Sequence, residues 1–236
     1  MKLSLLDWVK SLFDAKNRRV APRHYFLFDL FQLSANGKIS KIFNISYSGL
    51  LVQSADHVND ELERSDNGTI HAELIFFQRR IPCQVKLVSQ RAHGIAFTFI
   101  HQSDELLQFL RPILESIRVG QCLSGKRGQL EPGVESTFTG EDKLRLTTRC
   151  NIGGQPTLSR MDFDQNYSTT ILFDQDQLRV DPPGDDGGMD KLYKGICFLL
   201  GAWETDLIPG LEVQISQLFQ EISDISQSDA PSSQAN

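Results

Sequence analysis

Ile39-Ser40-Lys41-Ile42-Phe43-Asn44-Ile45-Ser46-Tyr47-Ser48-Gly49-Leu50-Leu51-Val52-Gln53 reads as two strands joined by a short polar turn. β-Branched and aromatic side chains favour a pleated, half-buried surface, and a glycine at the end of such a turn supplies a positive φ or a close backbone approach. Outward from this stretch, runs of the same character cover residues 24–33, 69–77, 81–89 and 94–100. Asn36-Gly37 and Asn67-Gly68 are turn pairs of the hairpin type between them. With the two runs quoted first, that makes six strands in succession, which predicts a small antiparallel β-barrel. Ser103 is placed to cap a helix carrying Leu106, Leu107, Leu110, Ile113, Leu114 and Ile117, whose apolar stripe suits the open end of the barrel. Pro112 must kink that helix or start a second one.

Beyond it, residues 119–136 contain Gly120, Gly125, Gly128, Pro132 and Gly133 and read as a linker. Residues 137–223 read as a smaller α+β domain. Its strands are predicted at 144–152 and 168–173, followed by a loop rich in Pro, Gly and Asp at 181–188. A helical pattern at 190–203 is apolar nearly all round, and a last helix carries Leu211, Ile215, Leu218, Phe219 and Ile222 on one side. Residues 224–236 have the composition of a disordered tail. At the other end, residues 1–16 form an amphipathic helix with Leu5, Leu6, Val9, Leu12 and Phe13 near one face. Such a helix docks on a membrane or a partner, or packs on the chain's own barrel or on a second copy. It and the C-terminal helices are the surfaces through which a homodimer would form. The predicted fold class is therefore mainly β with α: a six-stranded antiparallel barrel with flanking helices, then a smaller α+β unit.

Charge is divided along the chain. Residues 1–119 hold 15 Lys and Arg against 12 Asp and Glu, net +3, whereas residues 120–236 hold 9 against 18, net −9. An anionic ligand would meet the first half. No stripe of Lys and Arg interleaved with aromatics marks a surface for polymeric nucleic acid. Cys83, Cys122, Cys150 and Cys197 are scattered, without CxxC spacing or a nearby His at ligand distance, so the sequence predicts four reduced thiols and no metal site. With no long apolar run and no export signal, the expected location is the cytoplasm.

Two motifs carry the chemistry. Arg19-Val20-Ala21-Pro22-Arg23 sets two guanidinium forks four positions apart, suited to phosphate oxygens or to the O6/N7 edge of guanine. Asn44-Ile45-Ser46-Tyr47-Ser48-Gly49 follows about twenty residues later and adds compact polar groups for the rest of a base. In this order, RxxxR then (D/N)xSxxG, they resemble the PilZ domain, a bacterial receptor for cyclic di-GMP. The resemblance covers residues 17–118, because Arg91-Ala92-His93-Gly94-Ile95-Ala96-Phe97-Thr98-Phe99 is similar to the strand that closes such domains. No family suggests itself for the second half.

The resemblance implies that Arg19 and Arg23 grip phosphate and guanine of cyclic di-GMP while Asn44, Ser46 and Gly49 line the barrel side of the pocket. In the family, an Arg just before the first motif Arg accompanies two intercalated ligand molecules; here that residue is Arg18, so two ligands per chain are expected. It also implies a signalling receptor without a cofactor that acts on a protein partner, not an enzyme. The alternatives are a non-binding PilZ-like scaffold or adaptor, or an enzyme with its active site in the C-terminal half. Enzyme motifs fail on inspection. Residues 120–127 miss a P-loop because Arg127 stands where Ser or Thr must hold Mg²⁺, and Asp181, Asp185, Asp186 and Asp190 lack the spacing of a calcium loop. GGDEF, EAL, GxSxG and HExxH are absent from the sequence.

Overall fold

The computed structural model describes residues 24–25, 30–65, 67–92, 94–125, 130–140, 144–164, 167–174, 177–181 and 188–228. The expected N-terminal helix (1–16) and Arg18, Arg19 and Arg23 lie outside the described residues.

The hairpin predicted over residues 39–53 forms. β3 (Lys38–Ser46) and β4 (Gly49–Gln53) pair antiparallel, with Ser46 opposite Gly49 and Asn44 opposite Leu51. The first apolar run is not one strand: it splits into β1 (His24–Tyr25) and β2 (Phe31–Ala35), both of which pair with β3, at different points along it. β5 (Thr69–Phe76), β6 (Arg79–Arg91) and β7 (Gly94–Phe99) complete the sheet. The order β3-β2-β5-β6-β7-β4 returns to β3, so six strands close into an antiparallel barrel and β1 is a short addition to β3. Asn36 and Gly37 sit at φ 50° and 74°, the left-handed pair that a tight β2–β3 turn requires.

Inward alternation fills the barrel with Phe31, Leu33, Ile42, Ile45, Leu50, Val52, Leu74, Val85, Ile95 and Phe97, all buried. Burial of each large apolar side chain is worth about 1.5–3 kcal/mol. The helix α1 (Asp56–Arg64), which the sequence reading missed, buries Val58 against the same core. The helix α2 (Asp104–Gln121) is a single element with Pro112 inside it, not two. Ser103 caps it as expected, its Oγ accepting from Leu106 N at 3.1 Å.

The second half is a five-stranded antiparallel meander, β8 (Glu135–Thr139), β9 (Arg145–Cys150), β10 (Pro156–Asp164), β11 (Tyr167–Asp174) and β12 (Gln177–Asp181), with helices α3 (Gly188–Glu204) and α4 (Leu211–Ser228). Two boundaries differ from the sequence reading. The stretch read as a linker begins inside α2 and ends inside β8, and the stretch read as a tail from residue 224 is helical to Ser228. In the sequence, apolar residues at helical spacing extend from Ile222 to Ile225, beyond the start of the polar composition.

A single apolar cluster runs from the barrel through α2 and α3 to α4. Its tightest point is a helix crossing. A Cβ built on Gly120 of α2 would lie 2.1 Å from the Phe198 carbonyl oxygen, and one on Gly201 of α3 would lie 1.9 Å from that of Ile117. Only residues without Cβ allow the two backbones to meet there.

Candidate functional site

Three of the six residues singled out in the sequence lie together on the β3–β4 hairpin. The register slips between Ile42 and Asn44, a β-bulge at Phe43. The slip resets the alternation, so that Ile42 and Ile45 both enter the barrel core while Asn44 and Ser46 share the face opposite Ile45. Both polar residues are buried, at 1% exposure. Ser46 Oγ donates to the Gly49 carbonyl at 3.3 Å and lies 3.2 Å from Ser48 Oγ. Asn44 Oδ1 has no hydrogen-bond partner among the described residues. Leaving a buried acceptor unpaired costs about 1–3 kcal/mol, so its retention calls for an explanation.

Gly49 serves close approach, not positive φ. A Cβ there would fall 2.2 Å from the Phe97 carbonyl oxygen on β7. The turn beside it is pinned from two directions that the sequence does not show. The Ser48 carbonyl accepts from Phe99 N at 3.1 Å and from Thr98 Oγ1 at 2.9 Å, and the Tyr47 carbonyl accepts from Gln102 Nε2 at 2.7 Å. Burial raises the pKa of the Tyr47 phenol, helped by the negative charge of Glu115 and opposed by the positive charges of Arg111 and Arg118. Glu115 is itself held low by its hydrogen bond from Arg118, at 2.6 Å.

Arg18, Arg19 and Arg23 lie outside the described residues. Their nearest described neighbour is β1, where His24 pairs with Ile45 and Tyr25 with Asn44. His24 follows Arg23 directly in the sequence.

Elsewhere, Ser40 Oγ and His57 Nε2 lie 2.8 Å apart, with no carboxylate bonded to the ring among the described residues. Burial pushes the Cys83 thiol up to about 12 and also raises Cys150 and Cys197, the direction opposite to that of a nucleophile. Among the described residues no group of His, Cys, Asp and Glu is arranged to hold a metal ion, and no helix is long and apolar enough to cross a membrane.

No protein-family model matches the chain, and no curated protein matches it. Among solved structures it is similar to an uncharacterized Legionella protein, at 13% identity and a TM-score of 0.32 over 41% of this chain and 94% of that one. It is also similar to the PlzA protein of Borreliella burgdorferi in complex with c-di-GMP, at 12% identity and a TM-score of 0.32 over 74% of this chain and 95% of that one. Likenesses at this level assign nothing, and function has to be argued from the residues themselves.

Proposed function

We propose that the chain is a cytoplasmic receptor for cyclic di-GMP of the PilZ kind, which binds the ligand between the arginines at 18, 19 and 23 and the hairpin face of Asn44, Ser46 and Gly49. The observation that carries this reading is the buried Asn44 Oδ1, an acceptor without a partner among the described residues, on the strand that pairs with the residue following Arg23. A guanine offers N–H donors to such an acceptor, and its phosphates and O6/N7 edge suit the guanidinium forks. The chain's positive charge is concentrated in the half that carries the motifs, which favours a doubly anionic ligand. Chemistry at this site is recognition: Ser46 is already engaged by the Gly49 carbonyl, and no general base is bonded to it among the described residues. The receptor changes conformation on binding the ligand and thereby regulates a protein partner.

Isothermal titration with cyclic di-GMP tests the reading. Arg23→Ala should cost about 2 kcal/mol, roughly thirtyfold in affinity, with the fold intact by circular dichroism. Wild type should saturate near two equivalents and Arg18→Leu near one. No saturable heat with wild type would favour the non-binding scaffold, and unchanged affinity in Arg23→Ala would misplace the site.

A further inference from the structure

A second opening lies away from the hairpin. The β5–β6 turn, α2 and α3 enclose a cavity of about 250 Å³ lined by Phe76, Arg79, Pro112, Ile113, Tyr193 and Lys194. Its floor is apolar: the buried Phe76 ring packs edge-on against Tyr193 at 5.3 Å and against Phe109, behind it, at 6.3 Å, and Tyr193, Ile113 and Pro112 complete the apolar lining. Two cations from separate elements face it, Arg79 from the barrel and Lys194 from α3, both exposed. The Arg79 guanidinium lies 5.5 Å from the centre of the Phe109 ring, which holds its planar head beside the cavity.

Backbone strain marks the same turn. Phe77 sits at φ 53°, the left-handed region that bulky residues avoid, stacks on Tyr193 at 5.0 Å and meets Phe219 in a tilted contact at 5.3 Å. Strained residues of this kind persist where the surroundings over-determine them, and they cluster at ligand clamps. At this turn Phe76 and Phe77 contact Tyr193 of α3, while Arg79 lies over Phe109 of α2.

We propose that this cavity is a second binding site, for a small organic anion with a flat apolar body, such as an aromatic carboxylate. An anion in the cavity would gain charge-assisted contacts from Lys194 on α3 and from Arg79 on the barrel turn. The aromatic walls take the flat body, and apolar pockets with a few convergent charges are the usual form of small-molecule sites. The volume lies just below the usual range for drug-sized ligands, so a single ring fits and a cyclic dinucleotide does not. The site is independent of the hairpin reading, and its occupant ties the barrel turn to α3.

Ligand-observed NMR on the full chain with benzoate, benzamide and inorganic phosphate tests this. Benzoate should bind saturably and about tenfold or more tighter than neutral benzamide, because the carboxylate supplies charge-assisted bonds. Phosphate, which lacks the ring, should be weaker as well. Lys194→Gln, at an exposed position, should weaken benzoate about fivefold or more while cyclic di-GMP titration stays as in wild type, and Ile113→Trp should block benzoate. Equal binding of benzoate and benzamide, binding unchanged in Lys194→Gln, phosphate matching benzoate, or no saturation below about 10 mM would overturn the proposal.

Discussion

Replacing Gly201 by alanine is the sharpest test of how the two halves are joined. In an ordinary helix the change is favourable, since glycine is about 1 kcal/mol worse than alanine in a helix interior. Here the added Cβ would lie 1.9 Å from the Ile117 carbonyl oxygen and 2.8 Å from its carbon, whereas ordinary contact begins at 3.4 Å. The obstacle is backbone on a neighbouring helix, so no rotamer change relieves it. α2 and α3 must part by on the order of 1.5 Å, and overpacking of this kind costs about 1–3 kcal/mol before the loosened packing is counted. Separation also exposes part of Ile117, Phe198 and Ala202, which are now buried. Against the helix-propensity gain, the net loss should be about 2 kcal/mol. Gly195 in the same helix is the internal control. Its Cβ would meet only the flexible end of Met161, at 3.4 Å, so Gly195→Ala should gain about 0.5–1 kcal/mol. Urea unfolding, compared at equal m-value, reads both. Gly120→Ala combined with Gly201→Ala should cost less than the two separately, because one separation relieves both clashes. If Gly201→Ala raises the midpoint alongside Gly195→Ala, the helix crossing is wrong.

Three further outcomes follow from the same geometry. Gly49→Ala should lose about 1–3 kcal/mol and weaken cyclic di-GMP, because its Cβ would fall 2.2 Å from the Phe97 carbonyl and push β4 off β7; an unchanged urea midpoint would refute this. The Cys83 thiol has a folded pKa pushed from 9.0 up to about 12, so the folded state keeps a proton that the unfolded chain releases. Stability should therefore be level below pH 9.0 and fall as pH rises from there towards about 12; equal urea midpoints at about pH 8 and about pH 10.5 would count against burial of that thiol. The radius of gyration by small-angle scattering should not change between low and high salt, because the crossing is packed backbone and not exposed charge screened over roughly 8 Å; expansion in salt would show that charge holds the halves together.

Much of the barrel was legible because its signals are local. Asn36-Gly37 fixes a tight turn by its φ preferences, and Ser103 caps α2 through a bond three residues away. The apolar circumference of residues 190–203 reflects the place of α3 in the one apolar cluster, in contact with α2 and α4. What escaped the sequence reading lacks such signals. α1 is nine residues long with Ala55 at its N-cap and no side-chain cap bond, so only tertiary burial of Val58 marks it. β8 reads Glu-Ser-Thr-Phe-Thr and buries Phe138 alone, as an edge strand does, and β10 opens on Pro156, a residue that argues against a strand. Gly120 looked like linker because glycine is ambiguous in sequence; its use, a backbone contact with residues some eighty positions later, is visible only in three dimensions. At the site the two-residue spacing of Asn44 and Ser46 put both on one face. The pinning of Tyr47 by Gln102, across 55 positions, carried no sequence signal.

α2 links the candidate site to the second half through contacts at both of its ends. Just before its first turn, Gln102 holds the Tyr47 carbonyl inside the second motif, and Ser103 caps the helix. Along its charged side, Arg111, Glu115 and Arg118 act on the Tyr47 phenol. At its last turn, Gly120 meets Phe198 and Ala202 of α3. An 18-residue helix is about 27 Å long and stiff, and packed interiors transmit strain more readily than they absorb it. A shift of the hairpin on ligand binding would therefore reach α3 as a movement of the whole helix. The cavity between Arg79 and Lys194 opens beside Pro112 and Ile113, midway along that helix. An anion held there would brace α2 against the barrel turn and α3 together, so occupancy of the cavity and movement of the hairpin would bear on the same element.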